Sequence, residues 1–321
     1  MIPPPGERGA ALLTVLLLVA VMATVAATAL DRVALATHLS ANAAVAAQGR
    51  QWLAMAEQLA ATRVEDLLAA DRTQTLAGPW LNQPRTIALP DGGLIRARVR
   101  DGGNCFNLNS LATRTPSGAL AADPRAVTQF TSLMMLLGLD PGIAGRVAAS
   151  ATDWIDSDSV AQPGGGEDVG GRLSANSRMA DASELKAVGG VTAQTYLALA
   201  PFVCALPDSE PTTLNVNTLL PEQAPLLAML APQQIGLDRA RAQLSGRPAA
   251  GFGSVVNFWA TGAFADLDPP AEAATQVKVR SSWFLLQAEV IGGGLELGTR
   301  SLIDARNDQA RVVGRAYGSS W

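Results

Sequence analysis

The side chains in this sequence whose types and spacing could do chemistry crowd into one stretch, "DWIDSDSVAQPGGGEDVGGRLSANSRMADASEL". Asp153, Asp156 and Asp158 open it, Glu167 and Asp168 follow Pro163-Gly164-Gly165-Gly166, and Asp181 and Glu184 close it. Against these seven carboxylates stand Arg172, Arg178 and Lys186, a local excess of four negative charges. Repulsion of that kind either keeps a loop mobile or is cancelled by a hard cation, which takes about six to eight oxygens at flexible angles. Calcium suits such a donor set better than zinc, and the candidate ligands are Asp153, Asp156, Asp158, Glu167, Asp168 and Asp181. The spacing is not that of an EF-hand, which fixes its ligands by position and ends on a glutamate. The competing reading is a solvated acidic loop in which Asp181 or Ser183 caps the helix that follows.

Other chemistry is poorly supplied. The chain has one histidine, His38, and two cysteines, Cys105 and Cys204, so no zinc cluster can be assembled, and a Ser-His-Asp triad would need a histidine beside an apolar run. A carboxylate pair for glycoside hydrolysis could be drawn from the acidic stretch, but nothing supplies a sugar platform. No catalytic residue is assigned, and the expectation is a protein that is not an enzyme. A net charge of -4 and a pI near 5.1 advertise no basic surface for nucleic acid. The phrases "FNLNSL" (106–111) and "LNVNTL" (214–219) share Asn-aliphatic-Asn-Ser/Thr-Leu, and each precedes a helix-like stretch. The reading preferred for them is two helical subdomains entered through similar caps. The sharper alternative is a helix-hairpin-helix DNA receptor, with Gly142 and Gly145 at phosphate; Asp140 beside them and the lack of lysine count against it.

The elements that must position these residues are legible in outline. Ala10 to Leu30 are 21 uncharged positions, which as a helix would span about 31 Å, a bilayer's hydrocarbon thickness. Arg8 and the starting amine flank the front, so the head stays cytoplasmic and the bulk crosses. Val33, Leu39, Val45, Trp52, Leu53, Met55 and Leu59 then recur at near-helical intervals, so residues 31–68 are predicted to continue the helix. "RTIALPDGGLIRARVRDGG" predicts a hairpin whose second strand has one wet face, and "QVKVRSSWFLLQAEVIGGGLELGTRSLIDAR" predicts another around Gly292-Gly293-Gly294. The region from 104 to 275 reads almost wholly helical, which suggests one sheet interrupted by a large insertion. "GRAYGSSW" reads as a loose tail. Cys105 and Cys204 each sit beside an apolar stretch, and an extracytoplasmic address permits them to pair; two buried free thiols are the alternative.

The start of the chain, "ERG/AALLTVLLLVAVM", resembles a prepilin-type leader, in which a membrane peptidase cuts after the glycine and the apolar segment is retained. On that resemblance the cut falls between Gly9 and Ala10, and the amine of Ala10 is methylated. The fifth mature position, where pilin-like proteins usually carry glutamate, is Thr14. The alternative is an ordinary signal peptide cut at Ala27-Thr28-Ala29, which would release a periplasmic calcium-binding adaptor.

Together, the leader with Thr14, "FNLNSL", "DWIDSD…PGGGED", "MADASEL", "PFVCALP" and "LNVNTL" resemble the K-type minor pseudopilins of type II secretion, the general secretion pathway protein K family. The resemblance implies an α+β fold: a pilin-like long N-terminal helix plus an antiparallel sheet, with a large mostly helical domain inserted in the sheet. It divides the chain into a leader (1–9), a transmembrane part of the helix (10–30), the helix continuation and first hairpin (31–103), the insertion (104–275) and C-terminal strands with a tail (276–321). It implies a non-enzymatic subunit at the pseudopilus tip, with calcium in the insertion. The implied partners are minor pseudopilins I and J, the prepilin peptidase and the inner-membrane secretion platform, with no nucleic acid. The implied location is the bacterial inner membrane, single pass, N-terminus cytoplasmic and bulk periplasmic.

Overall fold

The computed structural model describes residues 7–71, 73–78, 80–90, 92–167, 173–307 and 309–318, with side chains from residue 10 onward. Helix α1 runs Glu7–Ala70, and no glycine or proline interrupts it between Ala10 and Gln48. Every residue from Ala10 to Val45 is exposed, a free stretch about 54 Å long at 1.5 Å per residue. Beyond it Leu53, Ala56, Ala60, Val64 and Leu68 recur every three or four positions, and that stripe is buried.

The stripe packs on a five-stranded antiparallel sheet of order β1 (Arg85–Ala88), β2 (Leu94–Asp101), β9 (Trp283–Gly292), β10 (Leu295–Asp304) and β11 (Arg311–Tyr317). Strands β1 (Arg85–Ala88) and β2 (Leu94–Asp101) form the first hairpin. The insertion follows: β3 (Phe106–Asn107), β4 (Ala112–Arg114), β5 (Leu120–Ala122), α2 (Pro124–Leu136), α3 (Pro141–Ile155), α4 (Ala193–Leu199) and β6 (Val203–Cys204), then β7 (Leu214–Asn215), α5 (Ala224–Ala228), α6 (Leu237–Ser245), α7 (Val255–Ala260), α8 (Ala271–Gln276) and β8 (Val277–Lys278). The sheet resumes with β9 (Trp283–Gly292), β10 (Leu295–Asp304) and β11 (Arg311–Tyr317). Alternation decides which face is buried: Ile95 and Val99 of β2, Phe284, Leu286, Ala288 and Val290 of β9 and Ile303 of β10 form one core with α1.

Two sequence expectations shift here. The sheet resumes at Trp283 rather than at 276, because Val277 and Lys278 pair in parallel with Leu214 and Asn215 inside the insertion. The expected loose tail is ordered as far as Gly318, since Arg311–Tyr317 pairs with β10 through a bulge at Leu302/Ile303.

Chain direction fixes where the insertion lies. The β9–β10 turn, Gly293 and Gly294 at φ 58° and 77°, has the two left-handed residues of a tight hairpin. It comes close to α1 at Gly49, where an added Cβ would run into Leu295. At the opposite end of the sheet, just past α1, the Gln74 backbone N–H donates to Val279 O at 3.2 Å and Gln74 O accepts from Asn215 Nδ2 at 3.2 Å. The insertion therefore stands at the end of the sheet remote from the bare helix.

The insertion has its own core and is built from two units of one plan. In the first, Asn109 spans a loop by accepting from Met179 N at 2.7 Å and donating to Met179 O at 2.9 Å, and β3 pairs in parallel with β6. In the second, Asn217 does the same at Phe252, at 2.7 and 3.0 Å, and β7 pairs in parallel with β8. The leading asparagines cap as expected: Asn107 Oδ1 accepts from Asn109 N and Asn215 Oδ1 from Asn217 N. The second asparagine of each phrase does more than cap, since it holds a distant loop. Helices α2 and α3 each start on Asp-Pro, with Asp123 and Asp140 accepting from the first free amides.

Candidate metal centre

Helix α3 ends at Ile155, and its C-cap, Asp156, is fully buried. Candidate ligand oxygens of Asp156, Asp158 and Glu167 all lie within 4.8 Å of one another. Both carboxylate oxygens of Asp156 are buried without a hydrogen-bond partner among the described residues, a costly state for a polar group unless something else meets them. Its pKa is pushed up to about 7, first by burial and then by the charges of Asp158, Asp153 and Glu167. A bound cation would reverse each of those causes. The donor set is all oxygen, which suits a hard ion such as calcium.

The remaining candidates separate by role. Asp153 is buried, but its two oxygens accept from Gln162 N at 2.8 Å and Gly166 N at 2.7 Å, so it shapes the loop that delivers Glu167. Only glycine fits at 165, because a Cβ there would run into Asp153 Oδ2 and Ala149. Asp181 lies outside the cluster: it accepts from Ser183 N at 2.8 Å and forms a capping box with Glu184. Burial raises its pKa, yet the Ser183 hydrogen bonds and the charge of Arg300 leave it lowered. Of the six candidate ligands, Asp156, Asp158 and Glu167 converge, Asp153 accepts from the loop's backbone amides and Asp181 caps the turn at Ser183; Asp168 lies outside the described residues.

Cys105 and Cys204 form a disulfide with Cα atoms 5.8 Å apart, which pins β3 to β6 and removes the free-thiol alternative. At the N-terminus, Gly9 and Ala10 lie within α1 near its start, and Ala10 is exposed. Thr14 Oγ1 donates to Ala11 O at 2.9 Å, so its hydroxyl is satisfied within its own helix. On the helix-hairpin-helix alternative, the α3 amides of Gly142 and Ile143 are already taken by Asp140.

Two polar positions escaped the sequence reading. Asp101, at the end of β2, accepts from Thr218 Oγ1 at 2.7 Å, from Gly103 N at 2.8 Å and from Ser281 Oγ, tying the start of the insertion to its finish. Glu57 is buried on α1 and accepts from Ser301 Oγ at 2.6 Å and from Arg315 in a bidentate pair, which fastens the helix to β10 and β11. A lone carboxylate among Leu53, Ala56 and Ala60 was the available sign of the second; nothing local marked the first.

An apolar helix long enough to cross a membrane, docked on an antiparallel sheet whose remote end carries a stapled, carboxylate-bearing helical insertion, defines a pilin-like subunit with an enlarged head, and the helix is consistent with a single-pass membrane anchor. The chain belongs to the protein K family of type II secretion, the minor pseudopilin K. Two family descriptions, both Type II secretion system (T2SS), protein K, match residues 104–208 and 214–280. The first ends and the second begins between the two units of the insertion. The type II secretion system protein K of Klebsiella pneumoniae is 35% identical over 322 residues, covering 98% of each chain. That of Pectobacterium carotovorum subsp. carotovorum is 32% identical over 323 residues, covering 97% of each. Among solved structures, a chain of the GspK-GspI-GspJ complex from enterotoxigenic Escherichia coli superposes with a TM-score of 0.73 at 33% identity, covering 85% of this chain and 96% of that one.

Proposed function

We propose that this subunit sits at the tip of the pseudopilus, where it starts and terminates the fibre that drives exoproteins through the outer-membrane secretin. The observation that carries this is the placement of the insertion at the end of the sheet remote from the bare helix. Val33, Leu35 and Leu39 on that helix are exposed and call for neighbouring helices below, while the insertion occupies the other end of the sheet. The likeness to a chain from a GspK-GspI-GspJ complex supports minor pseudopilins I and J as those neighbours. No catalytic step is assigned to it. Before assembly the chain is a single-pass inner-membrane protein, cut by the prepilin peptidase between Gly9 and Ala10, methylated at Ala10 and handed to the secretion platform. Calcium would sit on Asp156, Asp158 and Glu167, neutralising the loop and fixing the head.

Thr14 is the residue that tests assembly. In a helix bundle of low polarity a lone carboxylate without an amine partner costs several kcal/mol, whereas the threonine hydroxyl is self-satisfied. Thr14→Glu is expected to reduce co-purification with pseudopilins I and J and to reduce secretion; unchanged co-purification and unchanged secretion contradict the tip assignment. Mass analysis of the mature N-terminus is the companion measurement, with Ala10 as the expected first residue and Leu30 as the result that would turn the chain into a released adaptor.

A further inference from the structure

Between the head and the sheet face turned away from α1 lies a cleft of about 450 Å³. Leu285 of β9, Leu302 of β10 and Gly314 and Ala316 of β11 line its sheet side, with Arg100 of β2 and Arg300 of β10 among them. Tyr196 and Pro201 line it from the head.

The arginines are under-used. The guanidinium of Arg100 has no ion-pair or hydrogen-bond partner among the described residues. Its pKa is lowered by burial first and then by the like charges of Arg98 and Arg300. Asp101, which acts the other way, is already occupied by Thr218, Ser281 and Gly103. Arg300 reaches only Asp181, at 3.9 Å, and that carboxylate also caps Ser183. Arg315 is committed to Glu57 and is not available. The cleft therefore presents two guanidinium groups, with Asp101 and Asp181 as the carboxylates that line it beside them, the first engaged by Thr218, Ser281 and Gly103 and the second by Ser183 and, at 3.9 Å, Arg300.

Its shape selects the class of anion. From β2 across β9 and β10 to β11 is three inter-strand steps, about 14 Å, which is the reach of about four extended residues. A free phosphate has no use for the leucines that lie beside the two arginines, Leu285 between β2 and β10 and Leu302 next to Arg300 on β10. Gly314 lines the far end, and since an added Cβ would meet Leu302 only at ordinary contact distance, a larger side chain can be placed there without straining the sheet. We propose that this cleft binds an extended acidic segment of a partner protein, a carboxylate on Arg100 and Arg300 and an apolar side chain over Leu285 and Leu302.

The proposal goes beyond the tip assignment and fails or stands separately from it. The test is fluorescence anisotropy on the full-length chain in detergent with a labelled Glu-Leu-Glu-Leu peptide, its Gln-Leu-Gln-Leu analogue and inorganic phosphate as competitor. Expected are binding of the acidic peptide, at least about tenfold weaker binding of the analogue, and about tenfold loss in Arg100→Ala and in Arg300→Ala, on the scale of one charge-assisted hydrogen bond. Arg96→Ala, on the same strand but outside the cleft and 3.8 Å from Glu289, should leave affinity unchanged. Gly314→Val should block the peptide while leaving Tm unaltered, which keeps the test alive if an arginine variant folds poorly. Equal affinity for both peptides, or full affinity in both arginine variants, overturns the proposal. So does displacement by phosphate together with no loss in Gly314→Val, which would reveal a simple anion site.

Discussion

The two units of the head share a plan and differ in how they obtain positive charge. In the first, the loop between α3 and Met179 is long and carries Asp156, Asp158 and Glu167 with no side chain shown to neutralise the buried Asp156. In the second, the link between α6 and Phe252 is short and brings its own cation: Arg247 Nη1 donates to Val216 O at 2.9 Å and to Leu219 O at 2.6 Å. Burial lowers the Arg247 pKa, as expected for a guanidinium drawn into the fold to serve carbonyls. The first unit is also stapled by Cys105–Cys204, and the second holds β7 to β8 by hydrogen bonds alone. One scaffold is thus closed in one unit by an arginine on backbone carbonyls and in the other by a disulfide, with a carboxylate cluster in its loop.

That comparison can be broken in order of effect. Reducing the disulfide should cost the first unit up to about 4.7 kcal/mol by chain-entropy reasoning for a loop of this length. Hydrogen exchange should then rise in residues 104–208 before 214–280; uniform exchange would mean that the units unfold as one body. Asn109→Ala and Asn217→Ala each strip a buried loop of a paired donor and acceptor. Losses of about 3 kcal/mol are expected for either, measured by denaturant unfolding. A large loss in one and none in the other would break the shared plan.

Cation removal sharpens the contrast. If free calcium stands at about a hundred times its dissociation constant, chelation should cost about 2.7 kcal/mol, and Asp156→Asn should abolish that response. The pH dependence has a definite sign. Asp156 titrates near 7 in the fold and near 4 unfolded, so the native state holds the extra proton between those values. In chelator, the contribution of Asp156, read as wild type minus Asp156→Asn, should be greatest below about pH 4, fall between about 4 and 7 and level off above; calcium should flatten the fall. Asp153, also raised by burial, contributes in the same direction. The smallest effect is expected from Arg247→Ala, about 2 kcal/mol from two orphaned carbonyls, with no response to chelator or calcium.

Much of this architecture was readable from local pattern. The apolar run, the continuation of the helix through residue 68 and the two glycine hairpins depend on periodicity and turn chemistry, which act over a few residues, whereas the face the helix buries was not legible: of the positions read as periodic, Leu53 is buried but Met55 and Leu59 are exposed. Strand β11 was missed because Gly314 and Ala316 carry little apolar signal and the strand exists through its pairing with β10. The restart of the sheet was placed early because Val277 alternates like a strand residue but pairs with Leu214, far away in sequence.

The sequence alone determined that a greasy helix precedes a globular head, that a sheet flanks a helical insertion, and that an acidic loop and two cysteines are present in it. Which carboxylates converge, and that Asp153 serves backbone amides while Asp156 is left bare, was decided by the tertiary structure. The reason is physical: periodicity is written in neighbouring residues, whereas the direction of a loop carboxylate is set by the turn at Gly164, the close approach at Gly165 and the burial imposed by α3, none of which is expressed in spacing along the chain.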